Sequence, residues 1–168
     1  EYTFLKTTTT YKSRVSWILM LLYETTYEEK FKQASIKSLE YIIQLKTNLY
    51  WPVSCTFEQN NNALTHLLGY HLVAIVNFAY YEKLSNNKLS EELKDHCNFL
   101  YNKLNDLLFI ENELKAQINN KFQNTSSYTC LTGNAQIMYF AILFEKYNKL
   151  SDNLLSQKLY NTIYNKQI

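Results

Sequence analysis

The chain has 168 residues, 46% of them hydrophobic and 19% charged, with a net charge of +2. That is enough chain for one domain with a core, and there is no basic run of the kind that tracks a phosphate backbone, which argues against nucleic-acid binding. Unbroken apolar stretches such as Trp17 to Tyr23 fall far short of the roughly 20 residues a membrane span needs, and two glycines and one proline are too few turn residues for a β-sandwich or barrel.

Helical periodicity appears in six stretches. The first, Tyr11 to Glu24, places Val15, Leu19 and Leu22 on one face and is apolar nearly all round at Trp17–Leu22, so it should be buried on several sides. The second, Thr26 to Lys46, has Thr26 as a cap and Glu28 and Glu29 in its first turn, where acids suit the helix dipole. Its apolar stripe is Phe31, Ala34, Leu39 and Ile42, and Lys32, Lys37, Glu40 and Lys46 face water. The third, Ala63 to Lys83, is apolar on most faces. The fourth, Ser90 to Leu108, is amphipathic with Ser90 as its N-cap and Leu93, Cys97, Leu100, Leu104 and Leu107 inward. The fifth, Gly133 to Asn148, is nearly all apolar from Ile137 to Phe144. The sixth, Asp152 to Asn165, turns Leu155, Leu159 and Ile163 inward.

Buried and half-buried helices thus alternate three times. The repeat is literal: GYHLVAIVNFAYYEKLSNNK from Gly69 and GNAQIMYFAILFEKYNKLSDN from Gly133 share a pattern at an offset of 64 residues, and Ser13 to Glu29 is a weaker third copy. Turns within a pair are short. The connections between pairs, Thr47–Asn62 and Phe109–Thr132, are long and fall at one end of the array, beside the N-termini of the inner helices. Strand-like pieces in them, Leu49–Phe57 and Phe109–Phe122, are candidates to pair. The pattern predicts an all-α domain over residues 1–168, built of three consecutive antiparallel helical hairpins that form an arc of an α/α toroid. No signal peptide is visible. Cys55, Cys97 and Cys130 are widely spaced without a CxxC or HExxH, which fits reduced thiols in a cytoplasmic setting and signals no zinc site.

Three stretches carry a resemblance: TYKSRVSWILMLLYETT (Thr10–Thr26), NALTHLLGYHL (Asn62–Leu72) and YTCLTGNAQIMYFAILFEKY (Tyr128–Tyr147). Together they resemble a little-characterised bacterial α/α-toroid family associated with polysaccharide biosynthesis, with hairpins like those of the six-hairpin glycosidases and sugar epimerases. The resemblance implies a glycan connection and carries over neither catalytic residues nor a cofactor. The chain lacks the zinc motifs of the lanthionine cyclases and the DxDD segment of the terpene cyclases. Three hairpins are about half of a closed six-hairpin ring, which leaves three alternatives: part of a longer toroid, a homo-oligomer, or an open arc.

The loop end of such an array gathers Tyr11, Arg14, Trp51, Tyr70, Tyr128, Asn134 and Gln136 as ligand-binding candidates, and His66 and Glu58 as catalytic ones. Helix N-termini and a guanidinium there suit an anion such as a uronate, and the aromatic rings suit sugar faces. Each has a plainer alternative. Arg14 can be a surface charge, Trp51 a wedge between hairpins, His66 a hydrogen-bond partner of a loop carbonyl, and Asn134 and Gln136 helix caps. A nucleophilic Cys130 with His66 as base is conceivable, with a buried structural thiol as the default. The carboxylate supply is thin: Glu58 with Glu111 or Glu113 is the pair on offer, and Glu24, Glu82 and Glu145 lie at the far ends, where they tie turns. Two functions follow: a glycan-linked domain that binds or processes an acidic sugar or oligosaccharide, or a non-catalytic helical module for interaction or oligomerisation.

Overall fold

In the computed structural model, residues 12–44, 55, 62–81, 87–152 and 154–166 are described. Six helices lie in this part of the chain: α1 (Ser13–Thr26), α2 (Glu29–Gln44), α3 (Thr65–Ala79), α4 (Asn87–Glu111), α5 (Leu131–Asn148) and α6 (Leu155–Asn165). Each odd-numbered helix packs on the even-numbered one that follows it, and α3 lies between α1 and α5 and packs against both. The fold is all-α, with one minor element. Strand β1 (Ala63–Leu64) pairs antiparallel with β2 (Gln117–Ile118), which joins the two long connections beside the N-terminus of α3. The strand-like piece Leu49–Phe57 lies outside the described residues apart from Cys55, whose carbonyl accepts from Leu64 N at 2.8 Å. Phe109–Glu111, read as strand-like, extends α4.

Position in the layer decides how an apolar helix is used. Flanked on both sides, α3 buries 11 of its 15 residues, including Leu68, Leu72, Ile75 and Phe78. With a neighbour on one side, α1 buries three, and none is from the expected stripe: they are Ser13, Ser16 and Met20. Val15 is 58% exposed, Ile18 47%, Leu21 42% and Leu22 40%. The face of α1 turned inward is a polar seam. Ser35 Oγ donates to the Ser16 carbonyl at 2.6 Å, Ser16 Oγ donates to Ser38 Oγ at 2.9 Å, and Ser13 Oγ meets His71 Nδ1 at 3.1 Å. Small hydroxyl side chains let α1 and α2 approach closely while satisfying one another, so the larger apolar residues are turned away from the partner. The α2 stripe shifts accordingly, burying Ser35, Leu39, Ile42 and Ile43 and leaving Ala34 exposed.

Helix ends also differ from expectation. α5 starts at Leu131 rather than Gly133, with Cys130 as its N-cap, and the Cys130 sulfur accepts from Gly133 N. Ser90 lies inside α4 and donates to the Ala79 carbonyl at 2.8 Å, tying the α3–α4 hairpin. Thr26 is the last residue of α1, and its hydroxyl donates to the Leu22 carbonyl. Glu145 ties its hairpin as expected. It is buried and accepts from Tyr101 Oη at 2.8 Å, from Ser156 N at 3.0 Å and from the Ser156 hydroxyl, so one carboxylate joins α4, α5 and the first turn of α6. Burial and that carboxylate push the Tyr101 phenol pKa up. Glu24 does the same for α1 and α3 by accepting from Tyr81.

The two glycines are not repeat-equivalent. α3 begins at Thr65 and α5 at Leu131, 66 residues later, so Gly69 and Gly133 sit at different helical positions. They serve one seam from opposite sides. A Cβ on Gly133 would lie 2.4 Å from Thr65 Oγ1 and 2.8 Å from His66 N, and one on Gly69 would lie 2.6 Å from Gln136 Cβ. Alanine is the better helix former by about 1 kcal/mol, yet no Cβ fits against backbone at that distance. We expect Gly133→Ala to lower stability by about 2 kcal/mol, or about 5 °C in melting temperature. An unchanged or raised melting temperature would refute the tight seam.

Candidate functional site

Tyr11, Trp51 and Glu58 lie outside the described residues. The remaining candidates divide. Arg14, on the exposed side of the first turn of α1, places its guanidinium 4.3 Å from the Tyr70 ring centroid. Tyr70 in turn meets the edge of His66 one helical turn earlier, with centroids 6.1 Å apart. Gln136 of α5 lies against Gly69, between those two side chains in sequence. α1 and α3 therefore bring Arg14, Tyr70 and His66 together near their N-terminal ends, and Gln136 lies on the α5 side of α3, against Gly69. A groove of about 370 Å³ opens beside them, lined by Lys12, Arg14, Val15, Ile18 and Tyr70. Lys12, Val15 and Ile18 were not anticipated, because their role depends on α1 facing outward.

Arg14 over an exposed ring is a cation–π pair of about 0.5–1 kcal/mol. Among the described residues no carboxylate pairs with its guanidinium edge. Partial burial moves the His66 pKa below the usual imidazole value, so the ring is uncharged at neutral pH, and the fixed cations are Arg14 and Lys12. Among the described residues no carboxylate pairs with His66. The Gln136 side-chain oxygen is buried and accepts no hydrogen bond within the described structure.

Asn134 and Tyr128 do not join the cluster. Asn134 is fully buried and donates to the Leu114 carbonyl at 3.3 Å, fastening the long connection to α5. Tyr128 is 62% exposed on that connection, its carbonyl accepting from Ala116 N, and no hydrogen bond or ring contact links it to Arg14, His66 or Tyr70. Cys130 is occupied as the α5 cap. His71 and His96 are buried against each other, with ring centroids 5.3 Å apart, between α3 and α4. Burial pushes the Cys97 thiol pKa far up, out of the reactive range.

The carboxylates of the long connection serve structure. Glu113 accepts from Lys166 at 2.8 Å and from Thr129 at 3.1 Å, and also pairs with Lys115. These lysines hold its carboxyl at about 2 against an ordinary value of 4.5. A group so acidic cannot serve as a general acid near neutral pH. Glu111 accepts from Asn124 at 2.8 Å. Both line an open cavity of about 540 Å³ between the end of α4 and α6, which Lys158 and Lys166 share. Among the described residues no group of three or more His, Cys, Asp or Glu side chains is placed to hold a metal ion, and no helix is long and apolar enough to cross a membrane. Comparison with protein-family models, with curated proteins and with solved structures finds no match to this chain.

Because the Glu113 pKa is depressed on folding, its ion pairs stabilise fully above about pH 4.5, and that contribution drains away as pH falls toward 2. Glu113→Gln should therefore cost about 1 kcal/mol at pH 7, with the gap to the native chain closing between pH 4.5 and 2 in thermal melts. A gap that stays constant over that range would contradict the ion-pair account.

Proposed function

We propose that the chain is a non-catalytic helical interaction module that docks a partner through the outward face of α1. One observation carries this reading: Val15, Ile18, Leu21 and Leu22 are all at least 40% exposed along a single helix. Isolated exposed apolar residues are ordinary, but a contiguous stripe along a whole helix is the mark of an interaction surface. Covering it would recover roughly 1 kcal/mol or more per side chain. Of the catalytic candidates, Glu58 lies outside the described residues. His66 has no carboxylate partner among the described residues, and Glu113 is locked in ion pairs.

A docking face is free in the unbound chain. Val15→Glu combined with Ile18→Glu should then leave the melting temperature of dilute protein within about 2 °C, because surface changes cost within about 0.5 kcal/mol. A fall of more than 5 °C would mean these side chains are covered within the fold, and the reading would be wrong.

A second reading is favoured by the Arg14–Tyr70–His66 cluster. A guanidinium held over an aromatic ring beside a groove fits a carboxylate-bearing sugar, consistent with a glycan-linked role. Glucuronate and short acidic oligosaccharides would then raise the melting temperature in a concentration-dependent way, and Arg14→Ala would abolish the rise. No rise at millimolar ligand would dispose of this second reading.

A further inference from the structure

The layer of inner helices states what its own free edges are built to meet. α1, α3 and α5 begin at Ser13, Thr65 and Leu131, so equivalent positions lie 52 and 66 residues apart. The side of α3 toward α5 includes Gly69, against Gln136, and Tyr80, stacked on Tyr147 with centroids 4.4 Å apart. Val73 and Val76 fall between them on the same side. The α5 equivalents of these four are Ala135, Tyr139, Ile142 and Lys146, and all four are exposed. The small residue is kept: alanine stands where glycine allows close approach.

The side of α3 toward α1 includes Tyr70, under Arg14, and His71, against Ser13. Leu67 and Ala74 continue that side by one turn each way. Their α1 equivalents are Ile18, Leu19, Val15 and Leu22, of which Val15, Ile18 and Leu22 belong to the exposed stripe and Leu19 is half-buried. Each end of the layer thus presents, uncovered, the surface that the middle of the layer keeps covered.

We propose that the occupant of the α1 face is the α5 edge of a second copy of this chain, stacked head to tail so that the inner layer continues from one copy into the next. This rests on the reading that the α1 face is a docking surface, and it names the partner. The interface is heterologous, because different surfaces meet. Two seams of this kind close a dimer of six hairpins, and a rotation that does not close gives longer assemblies. Small residues at the seam, Ala135 on one side and Gly69 in the internal counterpart, set the same close spacing.

Complementation tests it. The native chain should sediment as a dimer or larger at micromolar concentration. Val15→Glu/Ile18→Glu breaks the α1 side, and Ile142→Glu, with Tyr139→Glu as a second choice, breaks the α5 side. Each variant alone should self-associate at least tenfold more weakly with unchanged helical circular dichroism. An equimolar mixture of the two classes should re-form a complex, since each supplies the side the other lacks, and an unfolded variant could not do so. If the native chain stays monomeric at every concentration while Val15→Glu/Ile18→Glu remains folded, the face is free but a different protein covers it, and self-stacking is wrong. If Ile142→Glu and Tyr139→Glu associate as well as the native chain, α1 pairs with itself and the head-to-tail seam is wrong.

Discussion

The close approach of α3 and α5 sets the rest of the molecule. Gly133 leaves no room for a Cβ against Thr65 and His66, and Gly69 none against Gln136, so the two helices meet nearly backbone to backbone at their N-terminal ends. That contact fixes where the long connections must go. Thr65 N donates to the Ala116 carbonyl and Leu64 N to the Cys55 carbonyl, while Asn134 fastens Leu114, so both connections are held across the same end. The opposite end is held by carboxylates on short turns, Glu24 to Tyr81 and Glu145 to Tyr101 and Ser156. A layer clamped at both ends orients its side chains with little freedom, which is why Arg14 of α1 meets Tyr70 of α3, and Tyr70 meets His66.

Most of the architecture was legible because helices announce themselves by period. The six stretches, their alternation, and the end at which the long connections lie follow from where apolar residues recur and where they stop. Glu145 as a turn tie was legible from its position alone. What was not legible is which side of an all-round apolar helix is covered. α1 and α3 carry the same signal in sequence, yet Leu72 is fully buried and Val15 is more than half exposed. Periodicity reports that a face is apolar, and it does not report whether a neighbour stands there. The buried serines compounded this, since Ser13 and Ser16 look like solvent residues until their partners, His71, Ser35 and Ser38, are placed.

The candidate site was legible in part for the same reason. Residues near the N-termini of the inner helices were bound to be neighbours, so Arg14, His66 and Tyr70 were recoverable. Asn134 reads equally as a cap and as a ligand-binding amide in sequence, because only its placed partner, the Leu114 carbonyl, tells a fastening amide from an available one. Glu113 stands open to acid–base chemistry in sequence because Lys166, which pairs with it, is 53 residues away. Among the described residues exposed apolar faces are plentiful and paired titrating groups few, which supports the binding reading proposed above.

Hydroxyl-radical footprinting as a function of protein concentration addresses the central claim most directly, because it reads the solvent exposure of individual side chains in the unmodified chain. The account predicts that Val15, Ile18 and Leu22 on α1 and Tyr139 and Ile142 on α5 lose reactivity together as concentration rises, while Tyr128 and Phe109, exposed elsewhere, stay constant. Reactivity of the two edges that is independent of concentration, or protection of one edge without the other, would contradict it.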